Sequence, residues 1–214
     1  MAVITVSRQY GTGGDEIASR VCELLGYRYF DKRMMAQVAS DMGLPSKDVI
    51  DSQEDRHELL SFFDRIFGHK VTEAWVTTDP ATGARTVDVG ELDSRRYIAV
   101  VRDLIHAACG QDNVVIMGRG GQVILRDQPG VLHVRLEASF EERVRRVSEQ
   151  QRFTNPAAAR DFVAGRDRAG ADYIRTYYGV DWNDPVLYHL ILNTGLWDNE
   201  SAAQIIVDAV KHLK

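Results

Sequence analysis

The sequence predicts an α/β fold built on a mostly parallel sheet. Three observations predict it: short apolar runs rich in Val and Ile, helical stripes between them, and a glycine-rich turn at the first strand-to-helix junction. The first run covers residues 3–6, and Gly11-Thr12-Gly13-Gly14 follows it. Ile17, Val21, Leu24 and Leu25 then recur at helical spacing, and Gly26 is placed to end that helix. Residues 27–30 read as a second strand, 114–117 and 131–136 as two more, and the segment around 187–192 as a fifth. Ala202, Ile205, Ile206, Ala209, Val210 and Leu213 form the apolar stripe of a final helix. Between these elements, residues 33–70 read as helical and unusually apolar. Residues 71–89 alternate around the turn signal Asp79-Pro80-Ala81-Thr82-Gly83, which predicts a β-hairpin. This arm is expected either to form a homodimer contact, through residues 55–95, or to pack on its own parent sheet.

Length and charge bound the function. The chain has 214 residues, with 26 basic and 31 acidic side chains and a formal charge of −5. At roughly 150 residues per domain, one domain is expected. The acidic balance argues against a general nucleic-acid surface. No apolar run approaches the roughly 20 residues of a membrane span, and the N-terminus lacks the regions of a signal peptide. Cys22 and Cys109 lie in no CxxC or Cys/His cluster, so both read as structural thiols. A soluble, cytoplasmic protein is expected, with a small-molecule partner rather than a nucleic acid or a membrane.

The sharpest motif is Ser7-Arg8-Gln9-Tyr10-Gly11-Thr12-Gly13-Gly14-Asp15-Glu16. Glycines here let the backbone turn tightly and aim N–H groups into a concave nest. The helix N-terminus adds about half a positive charge, so the junction reads as a phosphate site. It departs from the P-loop motif GxxxxGK[ST]. Aligned on Gly13, the lysine position is Gly14, the Ser/Thr position is Asp15 and the first glycine is Arg8. Arg8 is therefore either a substitute for the lysine or a surface arginine pairing with Asp31 or Asp15. Asp15 is either a magnesium-positioning carboxylate or a first-turn acid that stabilises the helix.

The stretch from Ile4 to Gly14, then Leu25-Gly26-Tyr27, Tyr29-Phe30-Asp31-Lys32, Val115 to Gly120, Leu136 to Ser139, Tyr173 to Gly179 and Leu192-Asn193-Thr194 together resemble the cytidylate kinase-like family. That family is a divergent branch of the P-loop nucleoside monophosphate kinases. The resemblance implies a P-loop kinase-like three-layer fold with a five-stranded parallel sheet, an inserted helical and hairpin arm, and an arginine-bearing lid. It makes residues 1–214 one such domain, with 33–95 the acceptor-binding insertion and 148–180 the lid region. It also implies roles. Gly11, Thr12, Gly13, Gly14 and Asp15 would hold ATP, with Asp15 toward Mg2+. Arg168 and Arg175 would serve the transferred group, and Arg8 joins them only if it is the lysine's substitute. Asp31, Arg102, Arg119 and Asp172 would hold the acceptor. Arg168, Asp172 and Arg175 match the family's lid spacing, and Arg119 stands where the family has the arginine of a GRD motif. Met117 and Gly120 replace aspartates at that motif.

Phosphoryl transfer needs alignment and positive charge more than covalent chemistry. Arginine suits it, because its planar fork binds phosphate oxygens in pairs. Between Arg143 and Arg175 the chain has eight arginines and no lysine. Arg143, Arg145 and Arg146 are expected to be solvated partners of Glu141, Glu142 and Glu149, the alternative being part of an anion-handling surface. The expected function is transfer of the γ-phosphate of ATP to a nucleoside monophosphate, cytidylate by resemblance. The alternatives are a catalytically impaired nucleotide or anion sensor and an oligomeric interaction protein.

Overall fold

The computed structural model describes residues 2–30, 76–78, 85–87 and 90–213. The chain divides into two compact units, Met1–Asp31 with Ile105–Lys214, and Lys32–Leu104. In the larger unit, β1 (Val3–Arg8), β2 (Arg28–Phe30), β5 (Val114–Met117), β6 (Val131–Glu137) and β7 (Leu190–Asn193) form one sheet. Its order is β2-β5-β1-β6-β7, and every pairing is parallel. In the smaller unit, β3 (Val76–Thr78) and β4 (Arg85–Val87) pair antiparallel, as the alternation at 71–89 predicts. Residues 33–70, the turn at 79–83, Asp31 and most of the proposed 55–95 dimer contact lie outside the described residues. Helix α2 (Gly90–Cys109) follows the hairpin.

Helix α1 (Gly14–Leu25) ends where glycine predicts. Gly26 adopts φ 68°, and the Tyr27 N–H reaches the Cys22 carbonyl. Its buried stripe is Ile17, Ala18, Val21 and Cys22, whereas Leu24 faces outward. Burial pushes the Cys22 thiol up to about 12, so it is inert at neutral pH. Helix α3 (Gly121–Ile124) is one turn. Helix α4 (Phe140–Gln151) starts on Ser139, whose hydroxyl accepts from the Glu142 N–H. Helix α5 (Pro156–Tyr178) carries proline at its first position and ends on Gly179. Helix α6 (Asn199–Lys211) closes the chain. The fifth strand is shorter than the apolar run. Pro185–Leu187 forms a 3-10 turn, capped by the Asp184 carboxylate on the Val186 N–H, and pairing begins only at Leu190. No helix among the described residues is long and apolar enough to cross a membrane.

The two faces of the sheet differ. Ile4, Val6, Val115, Met117, Leu132, Val134 and Leu136 pack one face against α1 and α6. Each such side chain contributes about 1.5–3 kcal/mol on burial. The other face of β1 and β6 buries Thr5, Ser7, His133 and Arg135. His133 Nδ1 lies 2.7 Å from Thr5 Oγ1, and its ring stacks on His189 at 4.8 Å.

Burial, then the neighbouring His189, lowers the His133 pKa to about 4 from its ordinary 6.5. The folded protein therefore holds His133 neutral, while the unfolded chain takes a proton below about pH 6.5. Stability is full above that value and is lost as pH falls, by about 2 kcal/mol between about pH 7 and pH 5. Urea unfolding across that window should show the loss in the native protein. It should be largely absent in His133→Gln, and an unchanged slope in that variant would assign the acid sensitivity to other groups.

Candidate active site

The sheet order fixes where a ligand can enter. After β1 the chain crosses to the edge strand β2 and returns through β5. It then passes to the opposite side through β6 and β7. The crevice at such a reversal opens at the carboxyl end of the central strand, and here that end leads into the glycine turn. The Gln9 N–H still bonds the Leu136 carbonyl at 3.0 Å, so regular pairing runs to the lip of the loop. Gly11 and Gly13 then take φ 83° and 76°. Any Cβ at Gly11 would stand 2.9 Å from the Arg143 carbonyl oxygen. Gly13 is the N-cap of α1 and brings no side-chain cap to the first N–H groups of the helix. Thr12 contributes through its backbone: its hydroxyl is buried and donates to the Gln9 carbonyl at 2.9 Å, closing the turn.

Arg8 crosses this nest. A Cβ on Gly14 would lie 2.4 Å from Arg8 Cδ, so the arginine stem fills the space where a residue-14 side chain would begin. Arg8 Nη2 reaches Asp15 Oδ2 at 3.1 Å, and the Tyr29 hydroxyl donates to Asp15 Oδ1 at 3.0 Å. Of the two partners expected for Arg8, Asp15 is observed, and Asp31 lies outside the described residues. Asp15 is about three-fifths exposed. Among the described residues no group of three or more His, Cys, Asp or Glu is arranged to hold a metal. Magnesium at a triphosphate commonly takes one or two carboxylates, with substrate oxygens and water completing its shell. An exposed Asp15 fits that donor set, since each of its oxygens keeps a lone pair beyond the bond it already accepts.

Two arginines expected to be solvated instead hold the loop. Arg143 is 4% exposed. Its Nη1 donates to the Tyr10 carbonyl at 3.0 Å and to Asp167 Oδ2 at 2.6 Å, and its Nε donates to the Ala138 carbonyl. The second Asp167 oxygen accepts the Tyr10 N–H at 2.9 Å. Arg146, half-buried, donates to the Thr194 carbonyl at 2.7 Å and approaches the Thr12 carbonyl. Arg145 behaves as expected, exposed between Glu142 and Glu149, and Arg146 keeps the expected pairing with Glu142 at 2.8 Å. Hydrogen bonds from Arg145 and then Arg146 push Glu142 down to about 2. The signal for Arg143 was its register: it sits four residues before Val147, on the buried stripe of α4.

The other predicted residues are distributed as follows. Arg119 follows β5 in an unusual turn in which Gly118, Arg119 and Gly120 all adopt positive φ, 69°, 54° and 77°. A non-glycine residue in that region is strained, and such strain gathers at functional sites. The Tyr178 hydroxyl donates to the Arg119 carbonyl at 3.1 Å, and its ring lies where a Gly120 Cβ would project. Arg168, Asp172 and Arg175 share one face of α5, and Arg175 pairs with Asp172. The region expected as a lid is thus mainly one continuous helix, beside the glycine loop at Asp167. Arg102 is an exposed residue of α2 in the smaller unit.

Similarity to known proteins follows the same outline. Residues 3–196 match the cytidylate kinase-like family. A cytidylate kinase of Pyrococcus horikoshii is 30% identical over 212 residues, covering 99% of this chain and 89% of that protein. Among solved structures, an uncharacterized protein from Eubacterium ventriosum superposes with a TM-score of 0.66 at 19% identity, covering 99% of this chain and 98% of that one. Shikimate kinase from Bacteroides thetaiotaomicron gives a TM-score of 0.51 at 13% identity over 98% of both chains. The fold is that of the P-loop kinases, and with nearly the whole chain matched, this protein belongs to the cytidylate kinase-like family.

Proposed function

We propose that the protein transfers the γ-phosphoryl group of ATP, with magnesium, to a nucleoside monophosphate, cytidylate being the first acceptor to try. The observation that carries this reading is the loop from Gln9 to Gly14. It opens an uncapped helix at the switch point of the sheet, with Arg8 laid across Gly14. Gly11, Gly13 and Gly14 bring backbone N–H groups to the donor phosphates, and Arg8 supplies the charge that the missing lysine would have supplied. Asp15 would hold magnesium, directly or through water, and a bound ion would supply charge neutralisation at the phosphates. Arg119, held in its strained turn after β5, orients the acceptor. Arg168 and Arg175 face the transferred group, with Asp172 holding Arg175. An acceptor phosphate oxygen attacks the γ-phosphorus in line and ADP leaves, so the work of the protein is alignment and charge.

A second reading, nucleotide binding without turnover, draws on Gly14 at the lysine position and on the Arg8–Asp15 pair, which engages two charged groups beside the nest with each other. One experiment separates the readings. The protein is incubated with magnesium, ATP and a panel of nucleoside monophosphates, and ADP is measured together with the matching diphosphate. Thermal midpoints are read alongside, since a ligand specific to the folded state raises them. ADP and cytidine diphosphate forming in equal amounts is the expected result. A raised midpoint without product would establish the binding-only reading. If neither ligand effect appears and light scattering finds a stable dimer, the chain acts as an interaction protein.

A further inference from the structure

We infer that Asp167 is a positioning residue that sets the geometry of the phosphate nest from the helix bearing Arg168 and Arg175. Its carboxylate accepts the Tyr10 N–H at 2.9 Å and the Arg143 guanidinium at 2.6 Å, and the same Arg143 nitrogen donates to the Tyr10 carbonyl at 3.0 Å. Both backbone polar groups of Tyr10 are therefore fixed by one ion pair. Tyr10 directly precedes Gly11, and a peptide plane flips as a unit. Rotation about the Tyr10–Gly11 peptide would turn the Gly11 N–H out of the nest, and the bond to the Tyr10 carbonyl opposes that rotation.

The pair suits this task because it is shielded. Arg143 is 5% and Asp167 20% exposed at the side chain, so water competes weakly for either group. The contact is reinforced on the apolar side. The Tyr10 ring meets Phe162 edge-on at 5.4 Å, Arg166 lies over both rings, and Gln151 donates to the Tyr10 hydroxyl. Tyr10 is thus gripped by residues of α4 and α5, and Asp167 adjoins Arg168 in the chain. A displacement of α5 at this point would pull on the loop, so nest and helix arginines are preorganised together.

Its role in ATP affinity rests on the proposed function, but its effect on the nest is separable from it. Inorganic tripolyphosphate is titrated calorimetrically into the full-length protein and into Asp167→Ala, Asp167→Asn and the double variant Arg143→Met/Asp167→Leu. Thermal midpoints are measured on the same samples. The double variant removes the ion pair without stranding a charge, so its midpoint should lie closer to wild type than that of Asp167→Ala. Its tripolyphosphate affinity should nevertheless stay at least tenfold weaker than wild type, as should that of Asp167→Ala. Asp167→Asn keeps an acceptor for the Tyr10 N–H and should lose less. If turnover is present, the KM for ATP should rise by the same factor, with kcat within about threefold. A double variant that binds as tightly as wild type would reduce Asp167 to a stability partner of Arg143 and overturn the inference. So would an Asp167→Ala protein whose affinity is unchanged, or a wild-type protein that does not bind tripolyphosphate. Wild-type binding without turnover of any monophosphate would instead overturn the proposed function and leave the affinities to decide this one.

Discussion

Arg8→Ala should lower turnover at saturating ATP by about 100-fold, the loss typical of removing one donor aimed at developing charge. The argument is spatial. The Arg8 stem lies where a side chain at position 14 would leave the helix, 2.4 Å from the missing Cβ. A lysine at position 14 and an arginine at position 8 therefore compete for one volume, and this chain has chosen the arginine. Three variants follow from that competition. Gly14→Lys alone should impair the protein, because its side chain collides with Arg8. Arg8→Gly combined with Gly14→Lys should recover activity to within about tenfold of wild type, since a lysine can then extend toward the β- and γ-phosphates. Arg8→Lys should retain an intermediate level, as an ammonium lacks the paired donors of guanidinium. The same series can be read as ATP affinity. A hydrogen bond to a charged group is worth about 1.5–3 kcal/mol, or roughly 10- to 100-fold. Equal affinity and turnover in Arg8→Ala would return Arg8 to the role of a surface partner of Asp15.

Much of this architecture is readable before folding. Short β-branched runs such as Val114-Val115-Ile116-Met117 match a strand buried on both faces, and the turn from Gly11 to Gly14 announces left-handed backbone beside a helix start. The residues that position the loop are harder to see. Arg143 and Arg145 are two residues apart in one arginine-rich segment. Yet the first is buried against Tyr10 and the second is exposed, because the turn of α4 sends them to different faces. Asp167 meets Tyr10 across 157 positions of sequence, a pairing that local pattern does not encode. The alternation of Leu132, Val134 and Leu136 with His133, Arg135 and Glu137 looks like a strand with one wet face. A central parallel strand has no wet face, and that constraint was the signal that His133 and Arg135 must be buried and partnered. The short 3-10 turn at Pro185 was hidden because Leu187 is apolar enough to pass for the start of β7.

Arg135→Ala should be the most destabilising single substitution among those considered, at about 4 kcal/mol. Its guanidinium is 1% exposed, stacked 4.5 Å from the Trp182 ring and 5.3 Å from that of Tyr188. It donates to the Trp182 carbonyl, to Asn183 Oδ1 at 2.8 Å and to the Tyr188 hydroxyl at 3.1 Å, and it pairs with Glu137. Truncation takes a charged donor from the buried Trp182 carbonyl and Tyr188 hydroxyl, leaving them their bond to each other and that from the Gln122 amide, and opens a cavity between two aromatic rings. For a chain of this length the thermal midpoint should fall by about 10 °C. Arg135→Met divides the two effects: it fills much of the volume but restores none of the bonds, so its loss should be about half that of alanine. Replacing a whole buried ion pair with apolar residues is often neutral. Here, however, three of the four partners of Arg135 are uncharged groups of the 182–188 segment, which no apolar side chain can satisfy. The consequence reaches the active site along one bond. Trp182 Nε1 donates to Ser7 Oγ at 2.7 Å, and Ser7 precedes Arg8 on β1. Loosening Trp182 frees the strand end that aims Arg8, so Arg135→Met, assayed well below its midpoint, should also lose turnover, by several-fold. A methionine variant with the midpoint and turnover of wild type would show that stacking and volume, rather than hydrogen bonding, hold Trp182 against the sheet.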